Sequence, residues 1–129
     1  IIYRADEGVT EVMPAGGIAL AMSDDISSIA EKKKINLSKG DVICLYSDGI
    51  TEAMNENGEL FGLDHLSDLV KKYSHQNTSL DIFSSISKDL SDFTNKTVQI
   101  DDMTLIVLKY NDTVVENLKD SQFLTDWNV

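Results

Sequence analysis

The stretch Gly40-Asp41-Val42-Ile43-Cys44-Leu45-Tyr46-Ser47-Asp48-Gly49-Ile50-Thr51-Glu52-Ala53 decides how this chain is read. Lys39-Gly40-Asp41 is turn chemistry, and Val42 to Tyr46 is a continuous apolar run with β-branched and aromatic content. Such a run predicts a strand buried on both faces. It stops abruptly at Ser47-Asp48-Gly49. A second block repeats the design: Asp101-Asp102 opens Met103 to Tyr110, in which Leu105 to Leu108 predicts a second buried strand. Each block sets a carboxylate at the edge of a rigid hydrophobic element beside water. Hard divalent cations require oxygen ligands held in that way, so Mg²⁺ or Mn²⁺ is the natural guest. The plainer reading is that Asp48-Gly49 is only a turn and Asp101-Asp102 only a solvated loop, and composition alone favours it.

Upstream, Ile1 to Arg4 and Val9 to Met13 have strand character, and Ala5-Asp6-Glu7-Gly8 between them suits the turn of a hairpin. Pro14-Ala15-Gly16-Gly17 breaks the second run and Ile18 to Met22 resumes an apolar stretch. Asp24 to Lys34 is polar and reads as a short helix or a loop. Downstream, Asn55-Glu56-Asn57-Gly58 is a turn. Leu66, Leu69, Val70 and Tyr73 then recur at helical spacing within Leu63 to Tyr73. A second helix is expected over Leu80 to Phe93, capped by Ser79, with Ile82, Phe83, Ile86, Leu90 and Phe93 as its apolar stripe. The segment from 111 to 129 has weak periodicity and reads as a tail or short helix.

With 129 residues the chain is one domain's worth, and 42% hydrophobic content is enough for a core. The 22 acidic against 11 basic side chains leave a net charge of −11, which argues against nucleic acid as a partner. Cys44 stands alone, as suits a reducing cytoplasm. The apolar runs fall far short of the roughly 20 residues that span a bilayer, so no membrane association is expected. The start, Ile1-Ile2-Tyr3-Arg4, has neither an initiator methionine nor a signal-peptide shape, and an excised segment of a longer protein is expected.

The first block, continued by Asn57-Gly58-Glu59-Leu60-Phe61-Gly62, resembles the metal-dependent protein phosphatase (PPM) family, in its bacterial SpoIIE-like branch. Asp101-Asp102-Met103-Thr104-Leu105-Ile106-Val107-Leu108 is similar to that branch's final motif, in matching order and separation. Tyr3-Arg4-Ala5-Asp6 and Pro14-Ala15-Gly16-Gly17-Ile18 resemble the hairpin and glycine-containing strand that precede it, so the likeness covers residues 1 to about 110. It implies an α+β fold, a sandwich of two mostly antiparallel sheets flanked by helices, of which this chain is the C-terminal half. It implies a serine/threonine phosphatase in which two Mn²⁺ or Mg²⁺ ions activate water for in-line displacement. By position, Asp48 and Asp101 become metal ligands. Asp102, where many relatives have asparagine, and Gly49 become supporting groups. Asp101 is preferred over Asp102 because adjacent strand residues point to opposite faces. Gly49 would let the backbone approach the site without a Cβ in the way.

The family's earlier metal motif, a bridging aspartate with nearby glycines, has no counterpart in this sequence. Asp24-Asp25 lacks the following glycines and lies after the hairpin. The chain alone is therefore expected to bind metal weakly and to be inactive, with exposed sheet edges through which a homodimer could form. The resemblance implies a cytoplasmic parent acting in signal transduction on a phosphorylated regulatory protein; many relatives act on anti-sigma antagonists. The rival reading is a catalytically dead phosphatase-like module that binds a protein partner. An unrelated acidic metal binder would need a tighter ligand cluster.

Other residues invite less. Cys44 lies within an apolar strand and no phosphate-cradling loop accompanies it, so it reads as core. His65 and His75 lack the i, i+4 spacing of a zinc pair. Lys32-Lys33-Lys34 reads as a solvated face, and Glu52 and Glu56, close after Asp48, read either as supporting groups of the site or as a solvated loop or helix start.

Overall fold

A computed structural model of the chain describes residues 1–13, 33–95 and 101–111. The Pro14–Gly17 break, the Ile18–Met22 run, nearly all of the Asp24–Lys34 segment and the tail after Asn111 lie outside the described residues. Four strands, β1 (Ile2–Arg4), β2 (Val9–Glu11), β3 (Val42–Tyr46) and β4 (Leu105–Lys109), form one antiparallel sheet in the order β2-β1-β3-β4. Three helices, α1 (Asp48–Thr51), α2 (Leu63–Tyr73) and α3 (Ser79–Thr94), make the fold α+β.

The expected hairpin is present, with Tyr3 opposite Thr10. Gly8 closes its turn at φ +67°, where its N–H donates to the Arg4 carbonyl at 2.8 Å. A non-glycine residue is strained in that conformation. The central pair β3–β4 sets Val42 opposite Lys109 and Tyr46 opposite Leu105. The pairing runs on at both ends. Tyr110 N–H donates to the Asp41 carbonyl at 2.9 Å, and Ser47 N–H donates to the Thr104 carbonyl at 3.0 Å.

The core lies on the helix side of the sheet. Val42 and Cys44 pack there with Ile50, Phe61, Leu66, Val70, Ile82 and Ile86, and Tyr3, Leu105 and Val107 border the cluster. Cys44 is a core residue as expected, and burial pushes its thiol up to about 11, too high for a useful thiolate. The expectation that β3 and β4 are buried on both faces is corrected: Leu45, Ile106 and Leu108 remain about half exposed. Helices α2 and α3 cover the same face, and Leu45 pairs with Ile106 on the opposite one. Among the described residues a single sheet is formed.

Helix α2 has the expected bounds, while α3 begins one residue earlier than expected. Its cap is Thr78 and not Ser79: Thr78 Oγ1 accepts from Asp81 N–H at 3.1 Å, and Asp81 Oδ2 accepts from Thr78 N–H at 3.2 Å. Thr78 takes the extended conformation a cap requires, and Asp81 at the third helical position completes the reciprocal pair. Phe83, assigned to the apolar stripe, is exposed, while Ile82, Ile86 and Leu90 are buried. His65 lies exposed on α2, its ring edge-on to Phe61 at 4.6 Å.

A buried carboxylate ties the hairpin to the loop before β3. Asp41 is 2% exposed, and accepts from the N–H groups of Ala5 at 2.9 Å and Ser38 at 3.0 Å and from Arg4 Nη1 at 3.1 Å. Burial alone would raise its pKa, but these three donors outweigh it and hold the carboxyl below its ordinary value. Arg4 also donates to Glu11 at 3.2 Å and to the Asn36 carbonyl at 2.8 Å.

Candidate metal centre

Strand β3 delivers the chain into the site, and α1 turns it there. Asp48 stands two residues beyond the end of β3, as the first residue of α1, and not within the strand edge itself. The turn is anchored from below by Ile50, which is fully buried. Thr51 Oγ1 and the Glu52 N–H both donate to the Asp48 carbonyl, at 3.1 and 2.8 Å. The Asp48 side chain is exposed, with Oδ1 accepting from Gly49 N–H at 3.0 Å. Glu52 is the exposed C-cap residue of α1.

The second carboxylate block meets this turn directly. Gly49 packs on the Asp101–Asp102 backbone so closely that a Cβ on Gly49 would stand 2.5 Å from the Asp102 carbonyl oxygen and 3.4 Å from the Asp101 carbonyl carbon. Gly49 therefore serves close approach of two backbones. Ser47 joins the same loops through its side chain: Oγ donates to the Asp102 carbonyl at 3.0 Å and accepts from Thr104 N–H at 2.9 Å. Asp101 and Asp102 are both exposed, and Asp101 Oδ1 accepts from Asp102 N–H at 2.7 Å.

β4 begins only at Leu105, so Asp101 and Asp102 precede the ladder. Strand alternation therefore does not separate them, which corrects the argument used to prefer Asp101. What distinguishes them is the backbone, because the Asp102 carbonyl is the group engaged by Ser47 and crowded by Gly49. Ser47 is the contact between the two loops that sequence reasoning missed. A serine between a strand and a helix looks like a helix cap, and only the fold reveals its partner loop.

The donor chemistry suits a hard divalent cation, since Asp48 and Asp101 offer exposed carboxylate oxygens on two loops locked together by backbone contacts. Among the described residues no group of three or more His, Cys, Asp or Glu side chains is assembled to hold a metal. Glu56 is committed elsewhere, accepting from Asn95 Nδ2 at 2.9 Å. No helix among the described residues is long and apolar enough to cross a membrane.

The family model for Stage II sporulation protein E (SpoIIE) matches residues 1–111. The phosphoserine phosphatase RsbU of Bacillus subtilis (strain 168) is 38% identical over 110 residues, covering 83% of this chain and 30% of RsbU. Protein IcfG of Synechocystis sp. (strain ATCC 27184 / PCC 6803 / Kazusa) is 28% identical over 106 residues, covering 81% of this chain and 16% of IcfG. The chain thus spans less than a third of either relative. The SiaA-PP2C domain of Pseudomonas aeruginosa superposes with a TM-score of 0.54 at 20% identity, over 60% of this chain and 31% of that one, which speaks to fold alone. With the family model matching through the end of β4 and RsbU 38% identical over 83% of this chain, the chain belongs to the SpoIIE family.

Proposed function

We propose that the protein carrying this chain is a metal-dependent phosphatase that removes phosphate from phosphoserine or phosphothreonine on a regulatory protein. The observation that supports this reading is the packing of the Asp48-Gly49 turn on the Asp101-Asp102 backbone. Asp48 and Asp101 would hold Mn²⁺ or Mg²⁺, two ions in the complete site, with Asp102, Gly49 and Glu52 as supporting groups. Bound there, the ions supply a lowered pKa for water and neutralise charge on the transferred phosphoryl group. The protein's part is to fix two carboxylates on stiff loops, so that little reorganisation is needed when substrate arrives. The likeness to RsbU, a phosphoserine phosphatase, supports the substrate class. An anti-sigma antagonist is the proposed kind of substrate, and the cytoplasm the proposed compartment.

The residues 1–129 alone are proposed to be inactive, since two carboxylates cannot hold two ions without a bridging ligand. Manganese-dependent turnover of a phosphoserine peptide tests the assignment. The full-length protein should hydrolyse it and the 129-residue chain should not; brisk turnover by the latter contradicts the incomplete site. A second reading is a catalytically dead module that binds a partner, favoured by the absence of a three-ligand cluster among the described residues. Full-length protein that binds a phosphoprotein without hydrolysing it supports that reading. The strands β2 and β4 flank the described sheet, and we propose homodimerisation through such edges. A light-scattering mass of one chain at micromolar concentration contradicts it.

A further inference from the structure

Serine at a helix N-cap ordinarily turns its hydroxyl onto a backbone N–H of the first turn. Ser47 occupies the N-cap of α1 in the extended conformation such a cap adopts, yet its side chain makes no capping bond. The hydroxyl instead spans to the other loop, donating to the Asp102 carbonyl at 3.0 Å and accepting from Thr104 N–H at 2.9 Å. The backbone of the same residue donates to the Thr104 carbonyl at 3.0 Å, so Ser47 grips residues 102 and 104 at three points. Two residues on, Gly49 packs against the same loop, where a Cβ would stand 2.5 Å from the Asp102 carbonyl oxygen. The two contacts bracket Asp48, fixing the residue before it and the residue after it to the loop that carries Asp101.

We propose that Ser47 is a positioning residue: its hydroxyl locks the Asp101–Thr104 loop to the start of α1 and so sets the spacing of the Asp48 and Asp101 carboxylates for a divalent cation. This rests on the proposed metal-dependent function. The hydroxyl needs both a donor and an acceptor role at once, which threonine reproduces and alanine and cysteine do not, a thiol being a weak and longer bonding partner. Ser47 touches neither the cation nor substrate in this account. Its effect is therefore on metal affinity, and through it on the metal concentration the enzyme requires.

The test uses the full-length protein with MnCl₂ as the probe, titrated by calorimetry into wild type, Ser47→Ala, Ser47→Cys, Ser47→Thr and Asp48→Asn. Loss of the two hydroxyl bonds should weaken Mn²⁺ binding about tenfold in Ser47→Ala and in Ser47→Cys, while Ser47→Thr stays within about twofold of wild type. The Mn²⁺ concentration for half-maximal turnover should rise by the same factor, with the rate at saturating Mn²⁺ largely retained. Ser47→Cys, close to serine in size, decides the matter if Ser47→Ala does not fold. Wild-type affinity in the alanine or cysteine variant overturns the role of Ser47 when Asp48→Asn still loses binding. Equal weakening in Ser47→Thr also overturns it. Unchanged Mn²⁺ binding in Asp48→Asn overturns the metal-site reading itself.

Discussion

Gly49 stands against Asp102 with no room for a side chain, since a Cβ would come within 2.5 Å of the carbonyl oxygen and 3.0 Å of the carbonyl carbon. Backbone atoms held by Ser47 cannot swing aside as a flexible side chain would. Gly49→Ala should therefore cost about 2 kcal/mol of stability and part the two loops, weakening Mn²⁺ binding as well. Gly58→Ala is the control. It is strained by its φ of +78°, costing about 1 kcal/mol, but its Cβ meets open space and metal binding should be unchanged. Denaturant melts with a Mn²⁺ titration read both effects, and equal metal affinity in both variants would contradict this account of Gly49.

Asp48 and Asp101 are exposed, so neither is needed for the core. Asp48→Asn and Asp101→Asn in the full-length protein should each lower turnover on the order of 100-fold or more while shifting the melting temperature little. Asp102→Asn should be the mildest of the three. Steady-state rates at saturating Mn²⁺ check this, and near wild-type rates for both of the first two variants would mean that the ligand assignment is wrong.

The capping pair on α3 makes a sharp distinction between neighbours. Thr78→Ala removes the acceptor for Asp81 N–H and should cost about 1 kcal/mol. Ser79→Ala, inside the helix, should cost a few tenths at most, since alanine is the better helix former. Chemical denaturation of both variants measures the difference, and the reverse order would return the cap to Ser79.

Asp41 carries a pH dependence whose sign is fixed by its partners. Its folded pKa is lowered, so its contribution to stability is fully present above the ordinary carboxylate value of about 4 and is lost as the pH falls through the lower folded value. Asp41→Asn should cost about 2 kcal/mol near neutral pH, by unpairing Arg4 and weakening the bonds from Ala5 and Ser38. The variant's stability should then fall less steeply than wild type as the pH drops below about 4. Urea melts from pH 2 to 7 test it, and parallel curves for the two proteins would count against the role given to Asp41.

Periodicity made α2 legible, because Leu66, Leu69 and Val70 are the residues it buries. The hairpin was legible from Gly8, and β3 and β4 from their apolar runs. Those runs misled about burial for a physical reason. Apolar content on both faces of Val42–Tyr46 shows only that neither face is polar, whereas the described helices cover one of them. The cap of α3 was displaced because Thr78 and Ser79 are both good capping types and only the Asp81 reciprocity separates them. The two carboxylate blocks were visible as motifs, but Ser47 was not, since a hydroxyl that bonds a loop 55 positions away leaves no local pattern. Asp41 sits in turn chemistry with Lys39 and Gly40, and its tie to Arg4 is equally non-local.

The most direct measurement is a manganese anomalous difference map from crystals of the full-length protein grown with MnCl₂. The account expects a peak with carboxylate oxygens of both Asp48 and Asp101 at about 2.1 Å. A bound manganese that neither carboxylate approaches, in a protein that hydrolyses phosphoserine, would contradict it.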